Sequence, residues 1–371
     1  MRRHLIAPLQ IRPLLRPAVV GSLLAVGCAH RPSVAQPARQ VVSTPDARPL
    51  VPGPKPAPAP ARWRGLIGEY DSPPGTRLVL EDRGALWFAD TVGHSTRLEE
   101  HTPTEFAVDP GSAEQTLGVH GSQVVFERQG EDRATGAVIA GTRLARREIE
   151  PRPGTNQLRV VPVRPVEEIR AEALRASPPR ETGTFRPADL VDLTRLDPTL
   201  KLEIRYATTN NFLGTRFYDE ARAFMQRPAA EALVRANRAL RPVGYGLLIH
   251  DAYRPWYVTK MFWDATPLDK HWLVADPSKG SLHNRGAAVD LTLYDLATGK
   301  AVDMPSTYDE STDRAFADYP GGTSLERWHR ALLRRAMEAE GFAVNPSEWW
   351  HFDHRLWHEY AIGNLTFDRI H

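Results

Sequence analysis

Apolar and polar positions alternate along the chain with two different periods. Between residue 63 and about residue 150 the alternation is short and two-residue: "TRLVLED", "ALWFAD", "TEFAVD", "SQVVFERQ" and "GAVIAGTRLARRE", separated by "PPG", "VGHS", "DPGS" and "GEDRATG". A period of two puts one face of each run against a core, and the turn clusters between runs set neighbouring strands antiparallel. Five or more such strands predict a small all-β domain, a barrel or a sandwich. From about residue 185 the period lengthens. "RPAAEALVRANRAL" (Arg227 to Leu240) has apolar residues at helical spacing behind a proline suited to a first helical turn. "YGLLIHDAYRP" reads as a buried strand running into a loop at Arg254-Pro255, and "AAVDLTLYD" as a second strand. Thr323-x-x-Glu326 forms a capping box, and the helical pattern behind it stops at Gly341. Residues 185–371 are therefore expected to fold as an α+β domain, an antiparallel sheet with flanking helices.

Neither period holds in the first sixty residues. Arg2, Arg3, Arg12 and Arg16 stand before and just ahead of a short apolar run, Ala18 to Gly27. A helix needs about twenty apolar residues to cross a bilayer core, so this run fits the middle of an export signal instead. It ends at "LAVGC", and Cys28 is the chain's single cysteine. The arrangement resembles a bacterial lipobox, with Ala25 where such boxes prefer leucine. The expectation is lipidation at Cys28, a membrane anchor at the mature N-terminus and a periplasmic location. From His30 to Ala61 prolines recur every few residues, which blocks helix and sheet and favours an extended spacer. The expected organisation is a signal at 1–28, a proline-rich linker at 29–62, a β-domain at 63–150, a second linker at 151–184 and the α+β domain at 185–371.

Composition narrows the function. Lys and Arg total 47 against 45 Asp and Glu, a net charge of +2, which offers no electrostatic case for a nucleic-acid partner. One cysteine excludes both an internal disulfide and a cysteine-ligated zinc site.

Candidate chemistry concentrates in the α+β part. In "SLHNRGAAVDLTLYD", His283 and Asp290 flank a run of small residues that lets the backbone turn back on itself. A catalytic metal takes three protein ligands and keeps one position open. "SEWWHFDH" offers the remainder: Glu348 and His351 lie three apart, one to ligate and the other to act as a general base on water. The chain has 13 histidines, so a single His–Asp pair is more often a structural hydrogen bond, and Trp349 and Trp350 read equally as core aromatics. His354 is a rival ligand within the same run.

The pattern S-x-H-x-x-G-x-A-x-D-L-T-L-Y followed by E-W-W-H is similar to the zinc D-alanyl-D-alanine dipeptidases associated with vancomycin resistance, as are "IRYATTNNFLG" and "DAYRP". The resemblance implies that His283, Asp290 and His351 bind Zn2+ and that Glu348 is the base. It implies that Arg254 steadies the developing oxyanion, a role suited to a permanently charged guanidinium. It also implies that Ser281 and Asp309 grip the substrate's free ammonium, with Asp303 and Glu310 as neighbouring candidates for the aspartate's part. The substrate is then a free dipeptide, and an exported enzyme would act in cell-wall turnover or recycling. Two rival readings are a D,D-carboxypeptidase trimming peptidoglycan stem peptides and a non-catalytic wall-binding lipoprotein with a structural metal.

Overall fold

A computed structural model describes residues 50–72, 75–109, 111, 117–119, 121–128, 133–147 and 159–370. The expected export signal, Cys28 and the first part of the proline-rich stretch lie outside these residues. No helix among the described residues is long and apolar enough to cross a membrane.

A short helix, α1 (Ala61–Arg64), leads into eight strands. They are β1 (Gly68–Ser72), β2 (Gly75–Asp82), β3 (Ala85–Asp90), β4 (Ser95–Glu100), β5 (Glu105–Val108), β6 (Gln123–Arg128), β7 (Ala134–Ile139) and β8 (Thr142–Arg146). Each pairs antiparallel with the next, and β8 returns to β1 through Tyr70↔Arg146 and Asp71↔Ala145, closing a barrel. Closure removes the free sheet edges that an open sheet would expose. Tyr70, Phe88, Phe106 and Phe126 fill the interior, with Phe106 and Phe126 meeting edge to face.

The alternation predicts five or more strands, and the structure has eight. The run from Gly136 to Glu148 looks continuous in sequence, but Ala140 and Gly141 both adopt positive φ (48° and 74°) and break it into the β7–β8 hairpin. A turn with two left-handed residues suits the right-handed twist of its strands, and alanine at the first position gives no sequence signal for it. In β2, Leu78, Val79 and Leu80 are all buried, which breaks the expected alternation. Val79 faces the barrel interior, whereas Leu78 and Leu80 pack with Ala89 and Tyr319 outside it. That outer face is covered by the second part of the molecule.

The second part begins before residue 185. Helix α2 (Val166–Arg175) lies within the stretch expected to be a linker, and buries Ile169 and Ala173 in the main core. Its polar majority, "VEEIRAEALR", hides a two-residue apolar stripe. The end of the proline-rich stretch is likewise not a free spacer: Leu50 packs on the core, the Trp328 indole donates to the Gly53 carbonyl, and Lys55 lies over the Tyr245 ring.

Next come β9 (Leu190–Asp192), α3 (Leu193–Leu196), β10 (Lys201–Leu202), β11 (Phe224–Gln226), α4 (Arg227–Leu240), β12 (Tyr245–Asp251) and α5 (Trp256–Ala265). The chain ends with β13 (Ala288–Asp295), α6 (Ser324–Ala339), β14 (Phe342–Asn345) and β15 (Glu348–His354). The central sheet runs β10-β12-β13-β15-β14, antiparallel except for the β10·β12 pair, and β9 and β11 form a small second sheet. The capping box at α6 forms as the sequence indicates: the Thr323 side chain accepts from the Glu326 amide, and Glu326 accepts from the Thr323 amide. Val289, Leu291 and Leu293 of β13 enter the core, which leaves Asp290 and Thr292 on the opposite face of the strand. The described residues belong to one compact unit.

Candidate active site

Strand register assembles the site. On one side of Asp290 stands His351 of β15, and on the other Asp251 of β12, each directly opposite it in the sheet. His283 reaches the same point from a short 3-10 helix, Leu282–Arg285, which Gly286 closes in the left-handed conformation (φ 68°). A β-carbon at Gly286 would come within 2.6 Å of Leu190, so glycine is required by both conformation and space. His283 Nε2, Asp290 Oδ1 and His351 Nδ1 face one another, separated by 3.2 Å between the histidines, 3.4 Å from His283 to Asp290 and 2.9 Å from His351 to Asp290. Two imidazole nitrogens and a carboxylate oxygen converging in this way suit a divalent cation, and among the described residues this is the group able to hold one. His354 does not join them; it is buried against Phe342, and burial pushes its pKa down to about 4.

Each ligand candidate is held from behind. The Ala252 carbonyl lies 2.7 Å from His283 Nδ1, and Asp353 Oδ1 lies 2.9 Å from His351 Nε2. Such partners orient an imidazole and raise its basicity toward a metal. The remaining oxygen of Asp290 accepts from the Tyr308 hydroxyl at 3.0 Å. Asp353 and Tyr308 were not singled out by sequence. Asp353 had a usable signal, since a residue two along a strand lies on the same face as His351; Tyr308 is distant in sequence and had none.

Glu348 opens β15, with an oxygen 3.8 Å from His351 Nδ1 and a hydrogen bond from the Asn345 amide at 3.1 Å. Its side chain stays 41% exposed, so it can meet a molecule entering the cleft. The surrounding protein still desolvates its carboxyl enough to raise its pKa, opposed by His351 and reinforced by Asp290. Arg254 follows β12 and donates through Nε and Nη2 to Asp251 Oδ2 at 2.9 and 2.7 Å. Its guanidinium packs over the Phe262 and Tyr206 rings. Burial alone would weaken its charge, but Asp251 outweighs that and keeps it cationic. Asp251 is in turn fixed by the Tyr218 hydroxyl at 2.7 Å.

Asp309 adopts positive φ (60°), uncommon for a side-chain-bearing residue and a mark of a constrained position. It accepts from Tyr206 at 2.9 Å. Burial, with Asp290 adding to it, pushes its carboxyl up to about 7 despite the Tyr206 hydrogen bond. A carboxylate raised in this way is poised for a cationic partner. Glu310 instead serves Thr307, Thr312 and Arg314, and Asp303 is exposed, so neither shares this setting. The Ser281 hydroxyl caps the 3-10 helix by accepting from the His283 amide at 3.3 Å, while the Ser281 amide donates to Asn284.

A buried His/Asp/His cluster on a sheet, with a carboxylate and a fixed arginine beside it, defines the class of metal-dependent peptidases. The family model for D-ala-D-ala dipeptidase, peptidase M15, matches residues 186–356. The D-alanyl-D-alanine dipeptidase of Escherichia coli (strain K12) is 38% identical over 165 residues, which cover 44% of this chain and 84% of that protein. Those of Enterococcus faecium and Streptomyces coelicolor are 34% and 32% identical, covering 41% and 46% of this chain and 85% and 91% of theirs. The chain belongs to the D-alanyl-D-alanine dipeptidase family. Its matched region excludes the barrel.

Proposed function

We propose that the protein hydrolyses D-alanyl-D-alanine to two molecules of D-alanine, using a zinc ion held by His283, Asp290 and His351. The observation that carries this reading is the meeting of those three side chains within 4.8 Å, beside Glu348 and Arg254, in a member of this family. When bound, zinc supplies Lewis acidity, polarising a carbonyl and acidifying water.

The chain's own groups do the rest. Glu348, exposed to the cleft, takes a proton from the attacking water and passes it to the leaving amine. Arg254, rigid on Asp251 and stacked on two rings, presents a fixed positive charge to the oxygen on which negative charge develops. Asp309 receives the substrate's ammonium, which restores its ionised form, and the Ser281 hydroxyl lends a second acceptor. A pocket that ends on a carboxylate selects for a free amino group, which separates a dipeptidase from a carboxypeptidase acting on acylated stems.

The test is D-alanine release from D-Ala-D-Ala beside N-acetyl-D-Ala-D-Ala, with chelator, zinc add-back and Glu348→Ala. Cleavage of the free dipeptide alone, lost in chelator and reduced about 10²–10⁴-fold in the variant, is expected. Cleavage of the acetylated substrate would reassign the protein to the carboxypeptidases, and no cleavage of either would retire the enzymatic reading.

We also propose export and lipidation at Cys28, on the strength of the basic, apolar and "LAVGC" segments in order. Labelled palmitate should enter the wild-type chain in cells and not Cys28→Ala; equal labelling of both would remove the anchor from the account.

A further inference from the structure

A cavity of about 560 Å³ lies between the barrel and the catalytic sheet. It is separate from the His283/Asp290/His351 cluster, which does not line it, but the two share a wall. Tyr308 lines the cavity while its hydroxyl holds Asp290, and Thr292, two residues beyond Asp290 on the same strand face, lines it too. The barrel contributes Arg146 and the catalytic part Arg205.

The lining is unusual in what it leaves unpaired. Six buried side-chain nitrogen or oxygen atoms among the described residues lack a hydrogen-bond partner, and four belong to this one lining: Arg146 Nε, Arg205 Nη1, Thr292 Oγ1 and Thr307 Oγ1. Arg205 and Thr292 are only 5% and 4% exposed. Buried polar groups are nearly always satisfied, so a cluster of orphans around one space calls for polar occupants there, water or the oxygens of a ligand. The sign of its charge follows from the arginines. Arg146 donates to the Gly65 and Ile67 carbonyls, and no carboxylate among the described residues pairs with it. Arg205 spends Nε and Nη2 on Glu203 and keeps Nη1 over. Four acids also line the wall: Glu69 is engaged by Arg147 and Tyr319, Glu203 by Arg205, Glu326 accepts from the Thr323 amide, and Asp303 is exposed. His250, stacked on Tyr308, is kept neutral by its burial and by Arg205, so it adds hydrogen-bonding capacity without charge.

We propose that this interdomain cavity binds a small oxyanion, a carboxylate or phosphate group on a compact body, held by the Arg146 and Arg205 guanidiniums and the Thr292 and Thr307 hydroxyls. Guanidiniums and hydroxyls lining one space match the acceptor-rich, anionic oxygens of such a group. The site exists only where the barrel meets the peptidase part, which gives the barrel a ligand-binding purpose that the dipeptidase reaction does not need.

The test is calorimetric titration of the full chain with inorganic phosphate and, separately, with glutarate. Binding at one equivalent by either probe is expected, weakened tenfold or more in Arg205→Gln and in Thr307→Val. Thr307 lies in a half-buried loop, so its variant keeps the test informative if Arg205→Gln misfolds. Phosphate alone would identify a phosphate site and glutarate alone a carboxylate site. Absence of heat with both probes at roughly 10 mM, well above a millimolar Kd, would overturn the proposal. So would equal affinity in the variants, which would place the anion elsewhere. Because these readouts are binding heats, they stand or fall independently of dipeptide hydrolysis.

Discussion

Single side chains bear on two testable quantities, the proposed grip on a cation and the response to acid. Asp353 touches no candidate substrate, yet it fixes the Nε2 edge of His351, so that Nδ1 faces His283 and Asp290. Asp353→Asn should leave the fold intact and weaken zinc by about 10–100-fold, read by competition with a chelator of known affinity. Unchanged affinity would reduce Asp353 to a surface group. His354 illustrates the acid response. Buried beside Phe342 and near Arg355 and Arg235, it is held neutral, with its pKa lowered to about 4, whereas the unfolded chain takes up that proton near 6.5. Between those values the unfolded state binds more protons, so stability is full above about pH 6.5 and declines as pH falls toward 4. The slope from this group cannot exceed ~1.4 kcal/mol per pH unit, and solvent screening reduces it below that. His354→Gln should flatten the denaturant-measured slope across that window; His250, lowered to about 3, leaves a residual slope.

Elements carry these side chains to one another, and the sequence shows some of them plainly. Helix α4 begins and ends where the proline and the apolar spacing place it, and α6 carries both members of its capping box. The strand that bears Asp290 is also legible as the run "AAVDLTLYD", whereas β15, "EWWHFDH", with polar Glu348, His351, Asp353 and His354, shows in the sequence as a motif rather than as a strand. What brings His283 to the start of β13 is the turn at Gly286. Gly286→Ala must accept both a left-handed backbone and a contact of 2.6 Å with Leu190, so a stability loss of about 1–3 kcal/mol is expected. Zinc affinity should fall with it, because the His283 helix ends at that residue. A variant that melts lower but binds zinc as tightly would show that the turn serves the fold alone. The β7–β8 break and helix α2 escape the sequence reading for different reasons: the exposed Ala140–Gly141 turn is local but alanine gives no turn signal, whereas α2 depends on burying Ile169 and Ala173 against distant partners.

At the scale of the whole molecule the barrel and the peptidase part are tied by buried polar contacts. The Tyr319 hydroxyl donates to Glu69 at 2.9 Å, the Ser324 amide donates to Glu81 at 2.8 Å, and Arg327 bridges Glu81 and Asp82. Groups buried from both sides in this way couple the two folds, so one calorimetric transition is expected. Tyr319→Phe leaves Glu69 short of a donor and should cost about 1–3 kcal/mol. Two resolved transitions in the wild-type chain would show the barrel to be an independent unit. The sequence by itself determined the α+β catalytic part, the all-β character before it and the residues able to bind a metal, because periodicity, caps and short motifs are local properties. Only the tertiary structure decided that β13 and β15 pair at Asp290 and His351, that Asp353, Tyr308 and Asp251 stand behind the site, and that an arginine-lined cavity separates barrel from sheet. Register and closure depend on side chains far apart in the chain meeting at one place, and no local pattern encodes that distance.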